Sequence, residues 1–502
     1  MQHALLGLAE NPSLPSELVD RLVAGADADL AEVLACRADL TPALVVALAR
    51  FDPAAVRLVC DGRLTTDDID PTARPRVALA MLEQGSGRPE WARLLATDPL
   101  EEHREKLAAC VGLPDDVTRT LASAPEVRVA AELALWTTAD VATDLSEHPH
   151  AEVRRALAAN ETAPPTVLAA LLTGQGWPPA RSCSVCDREE TPFVHDPHCA
   201  RPGCTLPPGA ACSGAHESTV RQIEQMALRN PATPVAAVVD FVDHPSMLLR
   251  HELATRIDLP ASVYARLARD SVPWIRATLA DNPAIEESVI HTLAGDTGHE
   301  VQRRLAHHPG LPLEFLPHLA EATRIGSTLL PRIASATSAE VEELAASPNP
   351  TVRMLLAQRR DLPDAIRDTL ARDPDAKVVK SIAPHPGLSE DQLRTTVARH
   401  GVRVIAKVAA NPDATSALLE SLADFRPPVR KALREIARHR NATSTALLVC
   451  LTDPDARPLA ARHPALPPSV IAELLSDGDW QVVEAAAANP SLPYAAMSGL
   501  LH

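Results

Sequence analysis

Apolar and polar positions follow one short pattern through most of the chain. A stretch with apolar residues at helical spacing ends in Ala, one variable residue and then Asn-Pro or His-Pro. Because the residue before proline is pushed out of the α region, this dipeptide ends a first helix. Leu-Pro then opens a second helix, in which Val289, Ile290 and Leu293 are predicted to face inward. Clear copies span residues 275–283, 301–309, 404–412 and 483–490.

One alanine of this pattern recurs with a step of 26 residues within each of three groups. The groups are Ala254, Ala280 and Ala306, then Ala357, Ala383 and Ala409, then Ala461 and Ala487. A unit of this length cannot bury its apolar face alone, so neighbouring units must stack. The pattern therefore predicts an all-α fold, a right-handed α-solenoid of ~26-residue two-helix repeats with roughly seventeen units.

Composition agrees with a thin core between helices. A chain of 502 residues is too long for a single hydrophobic core. Aromatic residues make up 2% of it, whereas a large globular core uses them as bulky fillers. The 46 prolines indicate many helix starts and turns, since so many cannot lie inside helices.

The Val-Arg-x-x-Leu-Ala-x-Asn-Pro-x-Leu-Pro pattern resembles the repeats of the leucine-rich repeat variant family. The resemblance covers nearly all of the chain outside residues 177–218. It implies a right-handed superhelix in which an α-helix alternates with a short or 3₁₀ helix. Steps of 26 residues exceed the family's shorter unit, so first helices like those of HEAT repeats are the alternative. The resemblance implies a fold and names no ligand.

Residues 177–218 interrupt the repeats and are rich in Cys, His, Pro and Gly. We therefore predict three parts: an N-terminal array over 1–176, a metal-binding insert over 177–218 and a C-terminal array over 219–502. A Cys-x2-Cys pair places two thiolates on one turn, and a second pair completes the tetrahedral set of structural zinc. The candidate ligands are Cys183, Cys186, Cys199, Cys204 and Cys212, with His195, His198 and His216 nearby.

A 4Fe–4S cluster is the alternative to zinc in this insert. Proteins of the leucine-rich repeat variant family can carry a cysteine-rich module that holds such a cluster, so the resemblance implies that four of the five cysteines ligate one here. This chain departs from the family in placing the module between two arrays instead of at the N-terminus. The abundant histidine and the closed four-cysteine spacing favour zinc. A linker with unused thiols is the third reading.

Three further sets of residues are predicted to be structural. Cysteines at or near small helix positions should be buried: Cys36, Cys60, Cys110 and Cys450. Histidines before proline should end helices in place of Asn: His148, His244, His308, His385 and His463. Arginines near the start of first helices should pair with acids of the adjacent turn such as Asp52, Glu126, Glu152 and Asp270, an anion track being the alternative: Arg57, Arg128, Arg154, Arg250, Arg276, Arg353 and Arg430.

A net charge of −17 disfavours binding of nucleic acid by the chain as a whole, although it leaves room for a local basic groove. No apolar run is long enough to cross a membrane and no signal peptide is recognised, so we expect a cytoplasmic protein. Phosphate-loop, serine-elbow and His-Glu-x-x-His motifs are missing.

The sequence thus predicts a non-catalytic protein-interaction scaffold with a structural zinc site, and a protein partner on the concave solenoid face. The first alternative is an iron–sulfur redox or iron-sensing protein. The second resembles the HEAT-like alkylpurine DNA glycosylases, which the acidity and the scattered tryptophans disfavour.

Overall fold

The computed structural model describes residues 2–176, 178–184 and 216–501. Within these ranges all regular structure is helical, and one isolated parallel bridge joins His150 to Ser182. The prediction of an all-α repeat fold is therefore confirmed. No helix in the described ranges is long and apolar enough to cross a membrane.

The helices are short and follow one another closely along the chain. The first ten α-helices are α1 Gln2–Glu10, α2 Ser16–Ala24, α3 Ala28–Ala35, α4 Pro42–Leu48, α5 Asp52–Cys60, α6 Pro75–Glu83, α7 Pro89–Leu95, α8 Glu101–Ala108, α9 Asp115–Ala122 and α10 Val127–Trp136. The next ten are α11 Ala139–Leu145, α12 Ala151–Ala159, α13 Pro165–Thr173, α14 Glu217–Arg229, α15 Val235–Val238, α16 Met247–Thr255, α17 Ala261–Leu267, α18 Pro273–Ala280, α19 Glu287–Ala294 and α20 His299–Leu305.

The remaining α-helices are α21 Leu316–Ala322, α22 Pro331–Ala334, α23 Ser338–Ala345, α24 Pro350–Leu356, α25 Asp364–Ala371, α26 Ala376–Ile382, α27 Glu390–His400, α28 Ile405–Ala409, α29 Ser416–Ala423, α30 Arg430–Arg438, α31 Ser444–Cys450, α32 Arg457–Ala461, α33 Pro468–Leu474, α34 Trp480–Ala487 and α35 Tyr494–Gly499. Short 3₁₀ helices cover Thr66–Asp68, Val239–Asp243, Leu313–Phe315 and Gly401–Arg403.

One repeat is a first helix, a turn and a second helix, as α18 and α19 show. Proline at position 273 opens α18, where its missing N–H costs no hydrogen bond. The chain turns at Asn282 and enters α19, which buries Val289, Ile290 and Leu293 as predicted. First helices pack on the first helix of the next repeat, as α16 packs on α18 and α18 on α20. Second helices cover the other side of this layer.

The repeating alanine lies where successive first helices touch. All eight alanines of the pattern are at most 1% exposed. A methyl side chain lets two helix backbones approach closely, and leucine and valine fill the remaining gaps. The core therefore needs almost no aromatic side chains, which explains the composition.

Contacts group the chain into two units. Unit 1 contains Met1–Leu58 and Leu311–His502, and unit 2 contains Val59–Gly310. Unit 1 therefore joins repeats from both ends of the sequence: α1 packs on α34 as any first helix packs on its predecessor. The division into arrays over 1–176 and 219–502 stays a prediction.

In unit 2, α14 packs directly on α12 and α13, so the stack continues from one side of the predicted insert to the other. The side-chain amide of Asn230 donates to the carbonyls of Ala158 and Asn160, at 3.0 and 2.8 Å. The same pair of bonds joins ordinary neighbouring repeats. The stack of described repeats therefore continues from α13 to α14 without a break.

A ladder of buried side chains ties each repeat to the one before it. The donor stands directly after the first helix, and its N–H groups reach one or two backbone carbonyls of the preceding repeat. Asn282, for example, donates to Ala254 and Arg256 at 2.8 and 2.6 Å. The carbonyls at a helix end lack partners within the helix, so these bonds satisfy them. We call the donors ladder residues.

The ladder residues of unit 1 are Asn11, Arg37, Arg359, His385, Asn411, His439, His463 and Asn489. Those of unit 2 are Asn160, Asn230, Arg256, Asn282 and His308. The predicted role of Asn and His as helix terminators holds at these positions, and the bond to the preceding repeat is a second role that the sequence reading missed.

Candidate functional site

Of the five predicted metal ligands, Cys183 lies within the described residues. Its side chain is fully buried and packs with Ala151 and Ala180. Backbone bonds hold its segment beside α12: Ala151 N–H donates to Ser182 O at 2.9 Å, and Arg181 N–H donates to Pro149 O at 2.8 Å. The thiol is therefore fixed against the start of a repeat helix.

The other candidate ligands lie outside the described residues, except His216. They are Cys186, Cys199, Cys204, Cys212, His195 and His198. His216 is buried and has a left-handed backbone (φ 51°) directly before α14. Within 2–176, 178–184 and 216–501, no group of three or more His, Cys, Asp or Glu residues is arranged to hold a metal ion. The metal site stays a prediction.

Two of the four cysteines predicted to be buried are exposed. Cys110 and Cys450 are buried, and burial raises the pKa of their thiols to about 11 and about 12. The prediction is wrong for Cys36 and Cys60, which are exposed. These two cysteines directly follow a buried residue, Ala35 or Val59, and the rotation of about 100° per residue along a helix turns their side chains from the core to solvent.

Three of the arginines predicted near the starts of first helices make the same structural contacts. Arg250, Arg276 and Arg353 each stand six residues before a ladder residue, and each pairs with an aspartate of the next turn. The Nε–Oδ2 distances to Asp270, Asp296 and Asp373 are 2.7, 2.6 and 2.7 Å. Each arginine also donates to a carbonyl of its own preceding turn. These three pairs bear out the predicted structural role over an anion track.

The pKa of each partner follows from this geometry. Burial raises the pKa of Asp270. Hydrogen bonds from Arg250 and from the Val272 N–H lower it by more, so the net shift of the pKa is downward. The bond to Asp270 raises the pKa of Arg250. Both groups are therefore held in their charged forms.

The predicted pairing holds for Arg430, which pairs with Asp453 at 2.7 Å although it stands nine residues before His439. Two acids have other partners than predicted: Glu126 pairs with Arg104 of the preceding repeat, and Glu152 pairs with Arg155 of its own helix. The prediction is wrong for Arg154, which donates to the backbone carbonyls of His148 and Pro178 instead of to an acid.

His148 and His244 are not at the position predicted for them. They lie in the turn before a first helix, where the Nδ1 of His148 accepts the His150 N–H at 3.1 Å and that of His244 accepts the Ser246 N–H at 3.0 Å. Aspartate makes this bond in other repeats, as Asp270 does to Val272 N. These two histidines thus replace Asp, whereas His308, His385 and His463 replace Asn as predicted.

The exposed face of the first helices differs from repeat to repeat, while the buried face is constant. The exposed face centres on the position eight residues before a ladder residue. In some repeats it extends to the positions five, four and one residue before the ladder, whereas in others those positions are buried, as at Ala277 and Leu355. In unit 1 the position eight residues before the ladder carries Thr351, Lys377, Arg403, Lys431, Asp455, Gln481, His3 and Asp29. A surface that varies on a uniform scaffold is where binding specificity is built.

One stretch of this face is strongly basic. The first helices α26, α28 with its preceding 3₁₀ turn, and α30 carry eight basic side chains and one acidic side chain, Glu435. Four of the five lysines in the whole chain are here. We call the following residues the basic face: Lys377, Lys380, Arg403, Lys407, Lys431, Arg434 and Arg438.

Most of the basic face has no ionic partner within the chain. Lys377, Lys380, Arg403, Lys407 and Lys431 are exposed and form no ion pair with any residue in the described ranges. Arg434 and Arg438 approach Asp455 and Glu435 at 3.7 and 3.6 Å, which are loose surface contacts. Exposed pairs of this kind contribute under ~1 kcal/mol, so these arginines are available to another anion.

A cavity lies at one end of the basic face. It has a volume of about 520 Å³ and is lined by residues that include Arg434, Arg438, Arg462 and Trp480. Trp480 is 51% exposed, and its ring lies 4.5 Å from that of His3. The cavity combines three guanidinium groups with an exposed aromatic ring, whereas Asp455 and Glu484 supply negative charge on its wall.

No known protein family matches the chain, and no curated protein matches it. The solved structures to which the chain is similar include the following two. One is a crystal structure of an engineered protein, with 15% identity over 94% of this chain and 97% of that one, at a TM-score of 0.14. The other is a structure of the Pds5–Scc1 complex, with 12% identity over 97% of this chain and 68% of that one, at a TM-score of 0.15. Scores this low carry no information about fold or function.

Proposed function

We propose that this protein is a helical-repeat scaffold that binds another protein on the exposed face of its first helices, the face we equate with the concave side predicted from the sequence. The observation that carries the proposal is the contrast between a uniform interior and a varied exposed face. Ladder residues and alanines repeat through both units, whereas the positions between them change in charge and size. Stacked repeats offer a long, rigid surface for such binding.

The scaffold needs rigidity, and the contacts between repeats supply it. Each ladder residue and each Arg–Asp pair crosses from one repeat to the next, so the exposed side chains are held at fixed spacing. Because the surface of the scaffold is already ordered, binding of a partner costs less conformational entropy. No catalytic step is proposed for this surface.

Position-specific photo-cross-linking tests this proposal. A benzoylphenylalanine replaces Lys380 on α26, or Arg394 on α27, the second helix of the same repeat, and the full chain is irradiated in the cells that make it. The expected result is a discrete protein adduct from position 380 and none from position 394. Adducts of equal yield from both positions, or none from position 380, would overturn the proposal.

A metal site is the second proposal, and Cys183 supports it. Its thiol is fully buried and held by backbone bonds next to α12, so one ligand is preset on a rigid element. We propose that Cys183 joins three of Cys186, Cys199, Cys204 and Cys212 to hold zinc, with a 4Fe–4S cluster as the alternative. Zinc would cross-link the insert and stabilise it, since the segment has few apolar residues of its own.

A further inference from the structure

We propose that the basic face binds an extended acidic segment of a partner protein, with one end of that segment seated in the cavity beside Trp480. This inference rests on the proposed scaffold function and gives its partner a chemistry.

The charge of the basic face is set apart from that of the rest of the molecule. The chain has a net charge of −17, yet α26, α28 and α30 present basic side chains in succession. The second helices between them carry acids, such as Glu390 and Asp391 on α27 and Glu420 on α29. Unpaired cations on adjacent helices repel one another, so their collection on one face costs stability that an anionic partner would restore.

Register brings these cations into line. Lys377, Arg403 and Lys431 each lie eight residues before a ladder residue, and the ladder fixes their three repeats against one another. Stacked helices are spaced about 9 Å apart, so the three repeats span about 20 Å. An extended polypeptide advances about 3.3 Å per residue and covers that distance with about six residues. A short run of Asp and Glu therefore matches the face in length and in charge.

The cavity supplies an end point for this segment. Arg434 and Arg438 belong to both the face and the cavity wall. Arg462, directly after α32, adds a third guanidinium group, which also pairs with Glu10 at 2.8 Å on the exposed surface. A guanidinium group binds a carboxylate with two parallel hydrogen bonds, which fixes direction as well as charge. The exposed ring of Trp480 can pack on an apolar or aromatic side chain of the partner.

Polypeptide is favoured over nucleic acid as the occupant. Binding of single strands relies on aromatic side chains that stack on successive bases. None of the three helices that carry the basic face, α26, α28 and α30, contains an aromatic residue. The acidic remainder of the chain would also repel a long phosphate backbone, whereas a short acidic segment meets only the basic face.

The test measures binding of the full chain to a fluorescein-labelled peptide of glutamate and serine by fluorescence anisotropy. We expect binding that weakens as salt rises. The double change Lys380→Glu and Lys407→Glu should weaken it about tenfold or more, because two attractive contacts become repulsive. The matched control is Arg119→Glu on α9, an exposed arginine of a second helix in unit 2, which should leave binding unchanged. Thermal unfolding of each variant verifies the fold.

Two further measurements locate and identify the ligand. Peptide binding should change the tryptophan fluorescence of the wild-type chain, and Trp480→Phe should remove that change. An oligothymidylate of equal charge should compete poorly. If it binds more tightly than the peptide and the same variants abolish its binding, the ligand is nucleic acid and the inference is overturned. An equal loss of peptide affinity in the double variant and in Arg119→Glu would also overturn the inference. If the peptide fails while position 380 still cross-links to a protein, this inference falls and the scaffold proposal stands.

Discussion

Asn11 donates its side-chain amide to the carbonyls of Ala487 and Asn489, at 2.9 and 2.7 Å. Asn489 makes the same two bonds to Ala461 and His463, one repeat earlier. The first repeat in the sequence therefore follows the repeat of α34 in the stack of unit 1. Terminal repeats of solenoids normally need polar caps to cover their apolar ends. In this protein the apolar faces of α1 and α34 cover each other.

The junction between α1 and α34 should fail when Gly7 gains a side chain. A Cβ on Gly7 would overlap the backbone of Glu484, since the two helices touch there. Glycine to alanine in a helix normally stabilises by about 0.5–1 kcal/mol, but this overlap should reverse the sign and cost about 1–3 kcal/mol. Hydrogen exchange of α1 and α34 in Gly7→Ala should be faster than in the wild type.

Gly478→Ala is the control for this change, because a Cβ there meets open space. It should leave the exchange of both helices unchanged. Unchanged exchange in Gly7→Ala as well would mean that α1 does not pack on α34 in solution.

Removing a ladder residue should cost more than exchanging it for another donor. Asn411 is fully buried and satisfies the carbonyls of Ala383 and His385. Asn411→Ala leaves both carbonyls without these partners, so we expect a loss of about 1–3 kcal/mol in unfolding free energy. Asn411→His should retain most of the stability, since histidine fills this position at His439. Equal losses in the two variants, measured by urea unfolding, would show that volume and not hydrogen bonding matters here.

Ladder histidines should make the stability depend on pH. The imidazole of His385 donates to the Ala357 carbonyl at 2.8 Å, and burial lowers its pKa to about 4. Burial also lowers the pKa of His308 and His463. A pKa that is lower in the folded chain than in the unfolded chain gives stability above about pH 6.5, and that stability is lost as the pH falls. The thermal midpoint should therefore drop between pH 7 and pH 5.

The variant His385→Asn tests this cause directly. Asparagine keeps a donor at the ladder position and does not titrate. The variant should lose part of the drop in midpoint between pH 7 and pH 5 while it keeps stability near that of the wild type at pH 7. A drop of the same size in the variant would assign the pH dependence to other groups.

The layered core was predictable from the sequence because its chemistry is local. The length of a single repeat sets the step of 26 residues between Ala254 and Ala280, and both alanines are fully buried. The ladder was predicted only in part. Asn, His and Arg share an N–H donor at one position, and that shared property is the signal that the sequence reading missed.

The basic face and the junction depend on distant residues and were not predicted. The net charge leaves room for a local basic groove. The residues of the basic face become neighbours only once the register of three repeats is known. The concentration of four of five lysines between 377 and 431 was the available signal. Nothing in the sequence showed that Asn11 would continue the ladder from Asn489. The exposure of Cys36 was missed because a shift of one residue along a helix changes the face.

Metal content should identify the chemistry of the predicted insert. Full-length protein, purified without air and without a histidine tag, should contain about one zinc per chain by plasma mass spectrometry. Cys183→Ser removes a thiolate ligand and should lower this value well below one and reduce the thermal midpoint, because the metal stabilises its segment. Cys36→Ser is the control, since Cys36 is exposed directly after α3, far along the chain from the insert. A content of about four irons per chain would assign a 4Fe–4S cluster to the insert instead of zinc. Full metal content in Cys183→Ser, or no metal in the wild type, would contradict the proposed site and leave Cys183 as a buried packing residue.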